Sequence, residues 1–515
     1  MFFRLPVVRF FNRVINRATV TVALVLLQIG WLLWAFFSLT AGKVWVNAGL
    51  NVLSLFITLY LVRKDENSDY KIIWLVLIGM MPLLGGALYL AFGNKAPAKR
   101  MRQRMQAVER QHTADLAQQP GQTDALDPAS RGLSRYVSEY GPYPAWKNST
   151  AKYYPCGEAM YPDLLADLEK AERFIFLEFF IVRTGKMWKG VEDILVRKAA
   201  QGVDVRLIYD DFGSLLGLPS DFVVKMERAH IRCIPFNPVV PLVSLVMNHR
   251  DHRKIVVVDG NTAYTGGINL ADEYINQKLR YGHWKDTAIL LKGEAVWSMT
   301  VMFLTMWEYT RDVEEDYRRF RPDKLPPEAA QGAGYYVQPY ADNPLDEEAV
   351  GEAVYLNLIN KAERYVYAMT PYLIISDSVN TALCNAAKSG VDVRIITPHI
   401  PDKALVFELT RSHYESLLEA GVQIFEYTPG FVHAKVMVTD DCCGVVGSIN
   451  LDYRSMFLHF EDAVLLYHDP TVLDIKRDFI NTQFRSQPVT LEQCLGHSWI
   501  RRLFRSILRV LAPLL

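Results

Sequence analysis

Cysteine is scarce in this 515-residue chain: there are six, Cys156, Cys233, Cys384, Cys442, Cys443 and Cys494, and no two stand as C-x-x-C. That pattern offers neither a thiolate zinc site nor a disulfide framework, and it suits reduced thiols in a domain facing the cytoplasm. An excess of charge is missing too, since 56 Lys and Arg balance 56 Asp and Glu. The totals therefore carry no electrostatic footprint for a nucleic acid, and none is expected as a partner. No grouping of His with carboxylates reads as a divalent-metal site, so chemistry without metal or cofactor is expected. What the chain has in quantity is hydrophobic residues, 50% of the total, high for a purely soluble protein. Its length allows two or three domains.

Much of that apolar content lies at the start. Residues 18–40 carry no charge, and runs at 44–62 and 72–93 are similarly apolar. Each is long enough to cross a bilayer core of about 30 Å as a helix. A cleavable signal is excluded by length and by the lack of a small-residue cleavage site. Basic clusters stand before 18, between 62 and 72, and after 93. Two spans plus a third segment that dips in and returns, broken at Pro82 and Gly85-Gly86, put all of them in the cytoplasm. Three plain spans with an external N-terminus are the alternative. Both readings leave the rest of the chain on the cytoplasmic side of a membrane region 1–94. Residues 95–139, with "QQPGQTDALDPAS", read as a polar linker.

Beyond it the chain repeats itself. "KAERFIFLEFFIV" (170–182) parallels "KAERYVYAMTPYLI" (361–374), and "AAQGVDVRLIYDD" (199–211) parallels "AAKSGVDVRIITPH" (386–399). Each half reads helix, buried strand, helix, strand. That alternation predicts an α/β fold of two similar domains, 140–330 and 331–494, with mixed sheets flanked by helices in a pseudo-twofold arrangement and a site at the seam.

Each half also carries one polar constellation. The first has His252, Lys254, Asp259 and then Gly266-Gly267-Ile268-Asn269; the second has His433, Lys435, Asp440 and then Gly447-Ser448-Ile449-Asn450. The offsets agree throughout. In a strand, residues two apart share a face, so each His and Lys project together. The Gly pairs allow close backbone approach at a turn. One copy alone would read as a surface strand with incidental polar residues; two matched copies do not. His249 has no counterpart in the second copy and reads as flanking, while His112 and His497 read as surface residues.

Two His, two Lys and two Asn converging would hold one phosphoryl group, with Lys254, Lys435, Asn269, Asn450 and Ser448 on its oxygens. One neutral imidazole can attack phosphorus while the other, protonated, serves the leaving alkoxide. A carboxylate on the far nitrogen fixes each tautomer, and Asp286 and Glu461 are the candidates. Asp259 and Asp440 complete the two candidate catalytic sets, with a bracing role through backbone or Lys contacts.

These residues resemble the paired HKD motifs of the phospholipase D superfamily over about 150–490. Within it the chain is similar to the bacterial cardiolipin synthases, through its N-terminal apolar segments, "GHWKDTAI", "GSINLDYRS" and the ending "RVLAPLL". The resemblance implies a phosphohistidine intermediate and a phosphatidyltransferase in the bacterial cell membrane that joins two phosphatidylglycerols into cardiolipin plus glycerol. It also favours His252 as nucleophile and His433 as acid, then base. There are two departures. Gly267 stands where the second copy has Ser448, and Asp286 lies 17 residues beyond Asn269, whereas Glu461 lies 11 beyond Asn450. Phospholipase D-type hydrolysis, another donor such as phosphatidylethanolamine, and a nuclease-like phosphodiesterase stay open, whereas a non-catalytic scaffold predicts the loss of one His or Lys, which the sequence does not show.

Two further segments bear on lipid. "CIPFNPVVPLVSLVMN" (233–248) is an apolar, Pro-broken stretch readable as a buried loop or a lipid-facing gate. In "WIRRLFRSILRVLAPLL" (499–515), Arg501, Arg505 and Arg509 recur at i+4, with Leu503, Phe504, Ile507, Leu508 and Leu511 on another face. Residues 495–515 thus read as a basic amphipathic helix at the membrane interface, with packing on the domain as the alternative.

Overall fold

The computed structural model describes residues 30, 34, 44–64, 68–81, 85, 86, 88, 89, 96–117, 121–239, 248–327, 329 and 335–512. The apolar run 18–40 lies outside them except for Gly30 and Trp34, as do parts of 72–93 and residues 240–247 of the Pro-broken stretch. The chain divides into two compact units. One comprises 1–101, 237–249 and 513–515; the other comprises 102–236 and 250–512.

In the first unit, helices Val44–Arg63 and Ser68–Met80 bury Ile57, Leu61, Trp74 and Ile78 together with Tyr89. Other apolar side chains on these helices are open: Leu53, Phe56, Leu59, Val62, Ile72 and Val76 are all exposed. Among the described residues, no helix is long and apolar enough to cross a membrane.

The second unit holds both repeats. Its first half contains β1 (Ser149–Tyr154), β2 (Phe174–Phe179), β3 (Asp204–Asp210), β4 (Arg232–Phe236), β5 (Arg250–Asp251), β6 (Lys254–Val258), β7 (Thr262–Gly266), β8 (His283–Lys285) and β9 (Ala288–Gly293). The second contains β10 (Tyr336–Asp342), β11 (Tyr365–Met369), β12 (Leu373–Ile374), β13 (Asp392–Pro398), β14 (Gln423–Tyr427), β15 (Gly430–Val432), β16 (Val436–Thr439), β17 (Cys443–Gly447), β18 (Leu451–Asp452), β19 (His459–Tyr467) and β20 (Ser486–Pro488). The first sheet runs β1-β9-β7-β6-β2-β3-β4, and the second runs β10-β19-β17-β16-β11-β13-β14-β20. Position for position, up to the extra β20, the orders match. In each the strands bearing "VDVR" pair in parallel with their neighbours, while those following His-x-Lys pair antiparallel. This is the duplicated mixed α/β fold.

The central strands are buried along their whole length, which is why "FIFLEF" and "KIVVV" read as continuous runs rather than alternations. Helices such as Lys186–Ala200 and Asp377–Lys388 turn Val191, Leu195, Val379 and Leu383 inward. At about 25 cal/mol per Å² of apolar surface, each such side chain contributes about 1.5–3 kcal/mol.

The segment 95–139 is not the loose linker expected. It forms helices Ala96–His112 and Pro128–Tyr140. Asp127 caps the second, accepting from Ala129 and Ser130 amides at 2.9 and 3.0 Å, with Pro128 at the first helical position. Leu126, Leu133 and Val137 then enter the core of the second half beside Tyr336, Val350 and Val354. His112, expected at the surface, is buried, stacked on Tyr317 at 3.5 Å and 3.2 Å from Glu308.

Asp259 and Asp440 do not reach the catalytic region. Each sits in a left-handed turn (φ 52° and 54°) and clamps the start of the neighbouring central strand. Asp259 accepts from the amides of Glu172, Arg173 and Phe174 at 2.8 Å. Asp440 accepts from those of Glu363, Arg364 and Tyr365 at 2.7–2.9 Å. The bracing partner is backbone, not lysine. Three charge-assisted bonds to one carboxylate are a strong local constraint. Asp440→Ala should therefore destabilise the fold by about 2–3 kcal/mol, read by urea unfolding, while the folded variant keeps its turnover. A loss of turnover without a loss of stability would contradict the clamp.

Candidate active site

Two short connectors bring the site together, and each crosses to the other half. β5 pairs in parallel with the start of β19, with Arg250 opposite His459 and Asp251 opposite Phe460. The His252 amide extends that ladder to the Phe460 carbonyl at 2.9 Å. Reciprocally, β15 pairs in parallel with β8, and the His433 amide donates to the Lys285 carbonyl at 2.7 Å. Each histidine thus docks on the strand that carries the other half's acid.

The side chains complete the exchange. His252 Nδ1 lies 2.8 and 2.9 Å from the two carboxylate oxygens of Glu461. His433 Nδ1 lies 2.6 Å from Asp286 Oδ2. All four are buried. With Nδ1 committed to a carboxylate, Nε2 is the nitrogen each imidazole has left for a substrate. Phe180 packs its ring against His252 at 4.9 Å, and Tyr274 and Trp284 pack against His433 at 5.5 and 5.3 Å.

Lys254 and Lys435 are buried beside their histidines and donate to the His252 and His433 carbonyls. Lys435 Nζ also lies 2.8 Å from His433 Nδ1. Burial pushes the Lys435 ammonium down to about 7 and that of Lys254 to about 8. Burial also carries His252 far below its ordinary value, aided by Lys254, His459, Lys435 and His433. Burial and Lys435 bring His433 to about 4 against the pull of Asp286. The lysine of one half thus depresses the histidine of the other, which places both sets in one electrostatic site. Glu461 is pushed up by burial despite Lys254. Burial thus works against charge on both members of the His252–Glu461 pair.

The Gly/Ser difference between the repeats has a steric cause. Gly267 and Ser448 occupy equivalent positions, their amides bonded to the Thr287 and Asp462 carbonyls at 2.9 and 2.8 Å. A Cβ at Gly267 would fall 2.0 Å from Asp286 Oδ1. The short Asp286 needs that space, whereas the longer Glu461 clears it and receives the Ser448 hydroxyl instead. Ser448 Oγ also accepts from the Asp462 amide at 3.0 Å. The hydroxyl expected on a phosphate is therefore occupied in holding Glu461. Gly266 has φ 147°, with the Thr287 carbonyl 2.4 Å from where a Cβ would sit, so the turn itself requires glycine.

The two asparagines differ as well. Asn269 accepts from the Ile181 amide at 2.9 Å and donates to Tyr274 at 2.8 Å, and so ties the turn to its surroundings. Asn450 Oδ1 is buried without a hydrogen-bond partner among the described residues. The unequal Asn-to-acid offsets come from the insert that carries β8. Residues 272–285 supply a short 3-10 turn, Asp272–Ile275, and the strand His283–Lys285, where the second half has only the short helix Tyr453–Phe457.

Sequence reasoning missed His459. It lies two residues before Glu461 on β19, buried, with its ring 5.5 Å from that of His252. The H-x-E spacing on a strand was the available signal. It also missed Arg253, which pairs with Glu178 at 2.5 Å and Asp251 at 3.2 Å behind the site, and Thr265, which donates to Asp462 across the halves at 2.5 Å.

Comparisons with known proteins point to one family. A family profile described as "Cardiolipin synthase, PLD-like domain" matches residues 164–307 and 355–482, and one described as "Phospholipase_D-nuclease N-terminal" matches 49–94. A cardiolipin synthase of Geobacillus kaustophilus is 34% identical over 97% of this chain and 100% of its own length. A cardiolipin synthase 2 of Bacillus anthracis is 32% identical over 88% of each chain. An uncharacterized protein of Streptococcus mutans is 41% identical over 89% of this chain and 99% of its own. Among solved structures, the phosphatidylserine synthase of Haemophilus influenzae superposes with a TM-score of 0.57 at 15% identity. That match covers 75% of this chain and 100% of the other, a likeness of fold.

The crowding at Gly267 gives a specific expectation. Gly267→Ala should displace Asp286 from His433 and lower turnover on the order of 10²–10⁴-fold, as loss of an acid that fixes a histidine tautomer does. Asp286→Ala should show a similar loss. Steady-state rates for both variants test this, and a fully active Gly267→Ala would contradict it.

Proposed function

We propose that this chain, which belongs to the cardiolipin synthase family of phospholipase D-like proteins, transfers a phosphatidyl group between two phosphatidylglycerols to give cardiolipin and glycerol. The observation that carries the reading is the reciprocal pairing of His252 with Glu461 and His433 with Asp286 around two buried lysines.

Neutral His252 attacks the phosphorus through Nε2. A P–N bond forms, the P–O bond to the headgroup glycerol breaks, and His433 passes its proton to that oxygen. The acceptor hydroxyl of a second phosphatidylglycerol then gives its proton to His433 and attacks phosphorus, and the P–N bond breaks. In the empty site the lysines hold His433 down. A bound phosphodiester anion offsets their charge and raises the imidazole's affinity for the proton it must donate. His252 is assigned as nucleophile and His433 as acid and base on the resemblance to the superfamily. Lys254, Lys435 and Asn450 are assigned to the phosphoryl oxygens.

Membrane placement belongs to the same reading. We assign the N-terminal region to the cell membrane with the catalytic unit on the cytoplasmic side. The open apolar sides of helices Val44–Arg63 and Ser68–Met80 support lipid contact. So does the C-terminal helix Trp499–Leu511, though in an orientation the sequence did not suggest. Arg501 and Arg505 reach inward to Glu408, Arg502 pairs with Glu415 at the rim, and Leu508 is buried in a cluster with Leu409 and Tyr453. Trp499, Ile500, Leu503, Ile507 and Val510 point outward, exposed. The helix is held to the domain by these ion pairs and by Leu508, and it offers its remaining apolar face to the bilayer.

Purified full-length chain with labelled phosphatidylglycerol and chelator should yield cardiolipin and glycerol in equal amounts. Phosphatidate with no cardiolipin would make water the acceptor and overturn transfer. His252→Ala and His433→Ala should each lower product by at least about 10³-fold, and His433→Ala should still trap label on His252 from a donor with a good leaving group. Because Lys435 is charged only below about pH 7, kcat/KM should fall as pH rises from 7 to 9, as the free enzyme loses that ammonium. A flat alkaline profile would contradict the role given to Lys435.

A further inference from the structure

We propose that His252, His459 and Glu461 form a binding site for a divalent transition metal, zinc above all, and that metal bound there switches the enzyme off. The three side chains are buried, and each offers one ligand atom within 4.8 Å of the others. His459 and Glu461 stand two apart on β19 and so share a face of the strand. His252 is delivered to that face by the β5 ladder. His252 Nδ1 lies 2.8 Å from Glu461 Oε1, and His459 Nδ1 lies 3.9 Å from the same oxygen. Tetrahedral zinc, with bonds of about 2.0–2.2 Å to nitrogen and carboxylate oxygen, separates its ligands by about 3.3 Å. One gap opens by about half an ångström and the other closes by about as much, within the reach of side-chain torsions. Two imidazole nitrogens and one carboxylate select zinc, cobalt or nickel over magnesium or calcium.

Inhibition follows from the tautomer. In the reacting enzyme the proton of His252 sits on Nδ1, facing Glu461, and the Nε2 lone pair faces the phosphorus. A metal on Nδ1 takes that nitrogen's lone pair, so the ring proton must reside on Nε2. An N–H replaces the nucleophile, with no change in redox state and no covalent step. Removing the metal restores the active tautomer. The site is reversible and acts on the first histidine alone, because His433 has no equivalent of His459 beside Asp286 among the described residues. The inhibitory step rests on His252 as nucleophile; metal binding itself does not.

The test uses full-length protein in detergent, freed of metal by chelator. Added Co2+ should give the visible absorption of a tetrahedral nitrogen–oxygen site at one equivalent, without the near-ultraviolet charge-transfer band of a thiolate ligand. Zn2+ should bleach it, and Mg2+ should not. Zn2+ should also inhibit cardiolipin formation, and excess chelator should restore it. His459→Ala and the better-tolerated His459→Gln should both lose the cobalt spectrum. Each should raise the half-inhibiting zinc concentration at least about 10-fold. An unchanged spectrum in both variants, or unchanged zinc sensitivity, overturns the site. A cobalt spectrum that depends on His459 without zinc inhibition overturns the tautomer argument and keeps the site. Absence of transferase activity in metal-free protein would count against the proposed function alone, since the spectrum reads the site without turnover.

Discussion

The structure depends on a reciprocal loan between its two halves. β5, from the first half, pairs with β19 of the second sheet, and β15, from the second half, pairs with β8 of the first half. Neither half can build a working histidine alone, because each imidazole takes its backbone register and its carboxylate from the opposite repeat. A carboxylate–imidazole contact made this way is set by two ladders at once. Its geometry is therefore as rigid as the sheets that hold it, and rigidity of this kind is what lets fixed groups stabilise a transition state without reorganising. It also makes folding of the two halves interdependent. Disrupting either ladder would misplace one histidine and expose the acid it covers.

Burial sets the electrostatics of the site. Lysine, histidine, aspartate and glutamate are all out of water here, and burial is the largest influence on each resolved shift at His252, Lys254, His433, Lys435 and Glu461. Such a cluster is costly unless its charges meet partners. The protein meets part of that cost from behind, where Arg253 joins Glu178 and Asp251 and Thr265 bonds Asp462. The rest falls to the substrate. A phosphodiester anion supplies the negative charge that lets two neighbouring lysines hold their protons, so binding and activation are one event. A dry site of this kind also lowers the concentration of competing water, which a transferase needs more than a hydrolase does.

The duplication was legible because strand periodicity is strict: His-x-Lys with a buried run behind it can lie in only one way on a covered sheet, and two matched copies fix the pairing of halves. Glu461 and Asp286 were legible as acids for the same reason. Their exchange between halves was not, since it depends on β5 and β15, strands of two and three residues with no periodicity to read. The clamps at Asp259 and Asp440 were half legible. A conserved offset within one chain says that a residue matters to the repeat, not whether it serves the chemistry or the turn. The helix Pro128–Tyr140 was hidden by its polar majority: its buried stripe includes Leu133 and Val137, and composition outweighed the Asp-Pro start signal. The outward face of Trp499–Leu511 could not be read at all, because amphipathicity gives two faces, and the positions of Glu408, Glu415 and the apolar cluster around Leu409 decide which one turns inward.

The halves are alike enough to share a site and different enough to divide its work. Beside His252 stand a longer acid, a serine hydroxyl on that acid and a second imidazole. Beside His433 stand a shorter acid, three aromatic rings where His252 has Phe180, and a lysine nitrogen on Nδ1. On the assignment proposed above, the glutamate, held by Ser448, can follow an imidazole that shifts toward phosphorus as the P–N bond forms. The aspartate, packed against Gly267 with no room for a Cβ, fixes an imidazole that only has to pass a proton to and fro. A single exchanged methylene between Glu461 and Asp286, balanced by a single exchanged hydroxymethyl between Ser448 and Gly267, thus makes the surroundings of the two histidines different. The steric trade couples these positions: lengthening the acid in the first half requires no new space at residue 267, but restoring a side chain there requires the acid to move first. Divergence of the repeats at these four residues is therefore a coupled set, not four independent drifts.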